Sequence, residues 1–295
     1  YTTLFRSLSL GGMPVSTKNW KWEMNFNIAK NSNKLVELAD GVDSYSIYWT
    51  SFTTRLYNYA MVGKSLGVIT GNTWERDDNG NIIFHELSAS QKALYGGEYV
   101  PTYNQNTLDE LGNFHPDFTG GFNTSISFKN FRLSANIDFS VGGQIVSYTN
   151  MWGSSSGILD KTAELNDRGV NVREPVSKGG GIHMTGVDQD GNKVDTYVNA
   201  KLYYTTASRV WEEWVYDRTY VKLREVSLSY VFPSQTLKKL NIGLSRASVA
   251  INASNPWLIY SACPNVDVSE IGMGYFEGGN AAATRSIGFT VNLAF

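Results

Sequence analysis

The sequence predicts an all-β protein, a transmembrane antiparallel β-barrel wall, from three observations. The last ten residues alternate strictly. Ile287, Phe289, Val291, Leu293 and Phe295 are large and apolar, while Ser286, Gly288, Thr290, Asn292 and Ala294 are small or polar. Period two places these sets on opposite faces of a strand about ten residues long, enough to cross a bilayer at a tilt with small polar groups lining a wet interior. The connections are short at one end and long at the other, the arrangement of outer-membrane barrels with short periplasmic turns and long extracellular loops. The composition agrees: 28 Gly, 7 Pro and 13% aromatics led by 17 Tyr. No run approaches the ~18 apolar residues of a spanning helix, and a mean hydropathy of −0.26 is what half-wet strands give.

In chain order, strands are expected at 1–11, 20–30, 44–57, 65–75, 118–128, 131–141, 220–232, 240–253 and 286–295. Trp20, Trp22, Met24, Phe26 and Ile28 share one face of the second. Only Lys129-Asn130 separates the strands at 118–128 and 131–141, which fits a two-residue hairpin. Phe131, Leu133, Ala135, Ile137, Phe139 and Val141 share one face there, and Arg132, Ser134, Asn136, Asp138 and Ser140 the other. The charges of Arg132 and Asp138 suit a wet lumen better than lipid. Val226, Leu228, Tyr230 and Phe232 repeat the pattern before Pro233; Leu240, Ile242 and Leu244 start a strand that resumes with Val249 and Ile251. With Phe295 at the periplasmic end, successive strands alternate in direction back to 1–11. The count is about nine, whereas single-chain bacterial barrels have even numbers, and an open edge is not tolerated in lipid. The expectation is that residues 1–295 are the C-terminal part of a larger barrel.

A net charge of −2 gives no footprint for nucleic acid, and there is no polybasic run. Cys263, the single cysteine, can form no internal disulfide and is expected to be an inert filler. His85, His115 and His183 fall in connections without a second histidine at metal-ligand spacing. No Gly-x-Ser-x-Gly elbow is present. Asp77-Asp78-Asn79-Gly80-Asn81 and Asp188-Gln189-Asp190-Gly191-Asn192 look like partial calcium loops, but the twelfth positions are Ser88 and Asn199, so turns are expected. Lys178-Gly179-Gly180-Gly181 lacks the ending of a phosphate loop and reads as a flexible tip. Two aromatic clusters stand out: Tyr48, Trp49 and Phe52, then Tyr203, Tyr204, Trp211, Trp214 and Tyr216. They read either as an interfacial girdle or as platforms for sugar rings or a partner. Trp211, Trp214, Tyr203 and Tyr204 are the candidate contact residues. No catalytic group, metal site or cofactor is indicated, and the chain is not expected to be an enzyme.

Several stretches resemble the SusC/RagA-type TonB-linked outer-membrane transporters of the Bacteroidota. They are Trp20 to Val36 with its spaced asparagines; Val62-Gly63-Lys64-Ser65-Leu66-Gly67, where Ser65 replaces the usual proline; Pro116 to Phe122; Gly142-Gly143-Gln144-Ile145; Tyr220 to Pro233; Asn252 to Leu258; and Arg285-Ser286-Ile287 with the strand that follows. These matches are collinear and cover most of the chain. The terminal Phe295 resembles the residue that outer-membrane barrels present to the assembly machinery. The resemblance implies a plugged barrel of about 22 strands. It further implies an N-terminal plug and a TonB-contacting segment outside this sequence, a SusD-like lipoprotein lid, and oligosaccharide or peptide cargo in the outer membrane. The loops at 76–117, 142–219 and 254–285 would meet ligand and partner. A passive porin-like channel, a soluble all-β carbohydrate-binding domain and, last, an outer-membrane hydrolase are the alternatives.

Overall fold

A computed structural model describes the chain except residues 1, 51–54, 107, 241–242, 272–273, 279 and 282, and gives Trp49 and Thr50 as backbone only. Phe52 and Ile242 therefore lie outside the described residues.

Seven strands form one antiparallel sheet: β1 (Thr2–Ser16), β2 (Trp20–Lys34), β3 (Phe118–Phe128), β4 (Phe131–Val141), β5 (Tyr220–Val231), β6 (Arg246–Ser261) and β7 (Ser286–Ala294), side by side in that order. The register carries one apolar stripe across the whole sheet. Leu10 sits opposite Phe26, Phe26 opposite Phe122, and Phe122 opposite Ile137. Lower down, Leu133 faces Leu228, Leu228 faces Ile251, and Ile251 faces Phe289. A one-residue slip anywhere would move a strand's apolar set to the other face, so the alternation read from sequence fixes the pairing.

This apolar face is the exposed one on the interior strands: Leu133 is 46% exposed, Leu228 47% and Ile251 48%, whereas Ser125 on the opposite face is 7% exposed. A water-soluble sandwich would bury it, so the face is turned toward hydrocarbon. The opposite face is polar and cross-linked: Arg132 meets Glu23 and Ser125, Asp138 meets Arg224, and Asn252 reaches Thr290. Arg132 and Asp138 share this lumen face, as expected, with separate partners. Gly120 lets β2 and β4 close over it, because a Cβ there would lie 2.3 Å from the Asn27 carbonyl oxygen and 2.5 Å from the Phe139 ring.

All three short connections, 17–19, 129–130 and 232–245, leave one end of the wall. Those at 35–117, 142–219 and 262–285 leave the other. Lys129 takes φ 53° in the hairpin turn. The expected strands at 44–57 and 65–75 are not in the wall. Strands Ser44–Thr50, Leu56–Met61, Val68–Gly71 and Asp109–Asn113 form a separate sheet, and β2 pairs directly with β3. The wall thus has seven strands rather than nine; removing two leaves the inferred direction of every other strand unchanged. The expected strand at 240–253 also shifts. Leu240 ends a short helix, Ser234–Leu240, and β6 runs from Arg246 to Ser261. Its continuation past Pro256 is accommodated by register irregularities opposite Arg224, where a proline costs no ladder bond.

Aromatic rings mark both margins of the exposed band. Trp20 and Phe128 (centroids 4.3 Å apart), with Phe131 and Tyr230 (4.7 Å), line the short-turn margin. Trp257 and Tyr260 are exposed near the other. From Val249, level with Tyr230, to Tyr260 is roughly 36 Å along the strand, or about 27 Å of depth at a ~40° tilt, matching the hydrocarbon band of such barrels. Among the described residues these rings form the girdle, and Tyr48, Tyr203, Tyr204, Trp211, Trp214 and Tyr216 of the two clusters singled out in the sequence are not part of it.

Candidate functional site at the barrel mouth

The three long connections fold together into one packed mouth. Its core draws Leu56, Ile69 and Trp74 from the first, Val146, Tyr148, Met151, Trp211 and Trp214 from the second, and Tyr275 from the third. Small sheets join them: Val187 pairs parallel with Ile83, and Val146 with Phe276. Polar side chains complete the joints. Glu212 accepts from the Trp74 backbone N–H at 3.0 Å and pairs with Arg76 at 2.6 Å, and Glu213 accepts from the Trp74 indole at 2.6 Å. Asn150 donates to the Pro264 carbonyl at 2.8 Å and accepts from Asn265 at 2.9 Å.

The four candidate aromatics all belong to this core. Trp211 and Trp214 are 0% and 1% exposed, and the Trp214 indole donates to the Ala207 carbonyl at 2.7 Å. Both rings are packed inside the mouth rather than presented at its surface. Both are anchors of the mouth. Tyr204 is also buried and Tyr203 half-buried, its hydroxyl donating to Glu213 at 3.2 Å. Burial, then the nearby Glu164 and Glu213, pushes the Tyr204 phenol up to about 12. Lys161, its pKa lowered by burial, stands 4.3 Å over the Trp214 ring.

The third connection lies down over the lumen face of β5, and here sits a dense cluster of charges. Lys222, 1% exposed, donates to Asp267 at 2.7 Å, Glu270 at 2.6 Å and Ser269 at 3.0 Å. Arg224 bridges Glu270 at 2.5 Å and Asp138 at 2.9 Å. Hydrogen bonding from Lys222 holds the Glu270 carboxyl below its ordinary range. At Asp267 burial works upward, but the bonds from Lys222 and Ser269 outweigh it and the net shift is down. Beside them is a cavity of about 360 Å³ lined by Lys222, Asn255, Asp267, Glu270, Glu277 and Arg285. Glu277 is buried and accepts from Ser147 and from the Thr149 backbone and hydroxyl. Further down the lumen, Glu23, Asn25, Asn123, Arg132 and Glu225 line a second hollow of about 260 Å³. The second is lined mainly by charges, hydroxyls and amides, whereas the first mixes its charges with Leu258, Val266 and Ile271; both can hold a solute through several weak contacts. Sequence reading passed over Lys222 and Arg224. The available signal was two cations in a strand whose other face is apolar.

The remaining candidates resolve individually. His183 sits between two carboxylates, Nδ1 to Asp167 and Nε2 to Asp195, each at 2.8 Å, and stacks on Tyr197 at 4.7 Å. The Asp195 bond leads in raising its pKa. The carboxylates lie on opposite sides of the ring, and among the described residues no three His, Cys, Asp or Glu side chains converge as for a metal. Asp77 and Asp188 accept from their own turns, at Asn79 and Asn81 and at Asp190 and Asn192, as expected of turns. The glycine run at 179–181 is no flexible tip: Gly180 and Gly181 are buried, and a Cβ on Gly180 would collide with the Glu174 carbonyl. Cys263 packs with Ile145, Val268 and Ile271, and burial pushes its thiol up to about 12, the inert role expected. Phe295 ends the chain 84% exposed.

No family model matches the chain. Over 267 residues it is 26% identical to TonB-dependent receptor P3 of Formosa agariphila, covering 88% of this chain and 24% of the receptor. It is 23% identical to TonB-dependent receptor P26 of the same organism over 319 aligned positions, covering 97% and 28%. Its fold superposes on a chain of the RagAB peptide importer in the open-open state with a TM-score of 0.64 at 15% identity, covering 99% of this chain and 28% of that one. On the closed-closed state the TM-score is 0.56 at 17% identity, covering 88% and 26%. The chain spans about a quarter of the length of the curated relatives it matches.

Proposed function

We propose that this chain, similar along most of its length to TonB-dependent receptors of the SusC/RagA kind, is the C-terminal wall and extracellular mouth of an outer-membrane importer. The preceding sequence would supply a plug, the earlier strands and the TonB-contacting segment. The carrying observation is the inverted wall: an apolar band facing outward, a charged lumen, and all long connections gathered over one end. That arrangement favours transport over catalysis. Cargo, an oligosaccharide or a peptide, is caught in the polar mouth beside Lys222, Glu270 and Arg285. It is covered by a SusD-like surface lipoprotein and passes inward when TonB pulls on the plug.

The lipoprotein's footing is the apolar surface of the mouth, where Leu94, Ile158 and Leu165 are 72%, 77% and 68% exposed. Trp211, Trp214, Tyr203 and Tyr204 serve both contacts from beneath, by fixing the loops.

The test is purification of the full-length transporter from outer membranes in mild detergent, with identification of co-purifying chains and of any small ligand by mass spectrometry. A lipoprotein that is lost on Ile158→Asp, together with an oligosaccharide or peptide, is the expected result. A protein recovered from the soluble fraction without detergent would overturn the reading. A plugless chain that admits solutes without TonB would make it a passive channel.

A further inference from the structure

The mouth holds a further cavity, and no wall strand lines it. About 420 Å³ in volume, it lies where the end of the helix Tyr148–Ser155 meets the start of the helix Ala200–Ala207, with Leu94 also in its lining. Its charge differs from that of the two lumen cavities. Glu23 and Glu225 line one of those, and Asp267, Glu270 and Glu277 the other. Here Arg173 and Lys201 are in the lining and no carboxylate is. Glu164 and Glu213, which help raise the Tyr204 phenol, stand outside it.

Hydrogen-bonding capacity around this cavity is unspent. Arg173 is held in place by donating from Nε to the Thr162 carbonyl at 2.8 Å, and from Nη2 to the Thr162 hydroxyl at 2.5 Å and to the Gly157 carbonyl. All three acceptors are uncharged. Among the described residues, Arg173 Nη1 and Lys201 Nζ have no protein partner. Ser154, also in the lining, is 1% exposed, yet its hydroxyl has no hydrogen-bond partner. Buried polar groups are ordinarily paired, so this wall is suited to meet a polar group from outside. The border is apolar. Leu94 lines the cavity, Ile158 follows the lining Gly157, and Leu165 lies three residues past the lining Thr162. Among the described residues these three are the most exposed large apolar side chains of the mouth.

We infer that this cavity seats an acidic side chain, Asp or Glu, of the lipoprotein lid, with Arg173 and Lys201 on its carboxylate and Leu94 and Ile158 packed beside it. Protein interfaces combine apolar contact with a few complementary charges that fix register. A water-soluble cargo moving along the lumen wall would meet neither this apolar border nor these cations. The inference rests on the importer reading and deepens it, by naming what sets the lid on its footing.

The experiment uses the full-length transporter in mild detergent with its co-purifying lipoprotein. Zero-length carbodiimide coupling, which joins a lysine to a carboxylate in contact with it, is followed by peptide mass spectrometry. The affinity of the separated lipoprotein is then measured at low and high salt. Lys201 is expected to couple to an Asp or Glu of the lipoprotein. Lys201→Glu breaks no side-chain bond, and an acid in the first turn of a helix is well tolerated. It should weaken the lipoprotein roughly tenfold and remove much of the salt dependence; Arg173→Gln should add to the loss. Exchanging the coupled carboxylate of the lipoprotein for Lys should restore binding to Lys201→Glu. An unchanged limited-proteolysis pattern verifies that the mouth of each variant is folded. A lipoprotein that binds Lys201→Glu as tightly as wild type overturns the site while leaving the importer reading intact. Loss of an acidic cargo from that variant, with the lid still bound at full affinity, overturns it as well and makes the cavity a cargo subsite. The absence of any co-purifying lipoprotein would instead remove the reading beneath it.

Discussion

Phe289 in the wall is 78% exposed, and Phe84 in the mouth is 1% exposed. The two regions use the same residue types under opposite rules. In the wall, apolar side chains point outward and Glu23, Arg132, Asp138 and Lys222 point into the lumen. In the mouth, Leu56, Ile69, Met151 and Trp211 are sealed inside, together with hydrogen-bonded polar groups such as Asn150 and Glu277. The difference is one of solvent. Hydrocarbon bears on one face of the wall, so nothing is gained by hiding Phe289. Water surrounds the mouth, so each buried apolar group contributes about 25 cal/mol per Å². A second difference follows from topology. Each wall strand pairs with its neighbours along an antiparallel ladder with a few local bulges, whereas the mouth depends on joints among connections far apart in the chain, such as Trp74 with Glu213.

Substitutions should separate the two regimes. Trp211→Ala, a large cavity in the mouth, should cost about 3–5 kcal/mol there and expose the long connections to limited proteolysis, with heat-modifiable mobility of the wall unchanged. If the wall collapses too, the regions are one cooperative unit. Ile137→Arg, on the outer face about midway up β4, should cost about 2–4 kcal/mol of barrel stability in lipid vesicles and leave the proteolysis of the mouth unaltered. Lys222→Ala sits at the seam. It leaves Asp267 and Glu270 short of their main partner and should cost about 2 kcal/mol locally, read as faster cleavage within 262–285; unchanged cleavage would show that the ion cluster does not tie mouth to wall.

Acid should act on the same seam. The carboxyls of Asp267 and Glu270 are depressed, so their stabilisation is full above their unfolded values and is lost as pH falls through the folded ones. The third connection should therefore loosen only below about pH 4, monitored by hydrogen exchange. The smallest effect concerns His183, whose pKa is raised. Its stabilisation is full below its unfolded value near 6.5 and fades as pH rises through the folded one. Exchange in the hairpin 182–198 should quicken toward alkaline pH in wild type and lose that dependence in His183→Gln.

The wall was legible in the sequence almost residue by residue, and the mouth was not. The alternation in 286–295 and 131–141 is a local property, and it marks face and strand together. The same alternation in 44–57 and 65–75 does not say which neighbour a strand will take. Those segments pair with each other, and Leu56 and Ile69 are buried in the mouth rather than set in the wall. Trp211 and Trp214 were singled out for being aromatic in a long loop; whether such a ring is a platform or an anchor depends on what packs on it. Lys222 and Arg224 drew no notice because their partners lie some 45 residues onward, in the third connection.

The sequence by itself determined the membrane wall, its lipid and lumen faces, its short-turn end and the direction of each strand. Period-two patterning in two solvents leaves few other solutions. Only the tertiary structure decided that seven strands form the wall, that the long connections share one core, and that Lys222 ties them to the lumen. Each of these is a contact between residues far apart along the chain, and no local pattern specifies which distant partner wins.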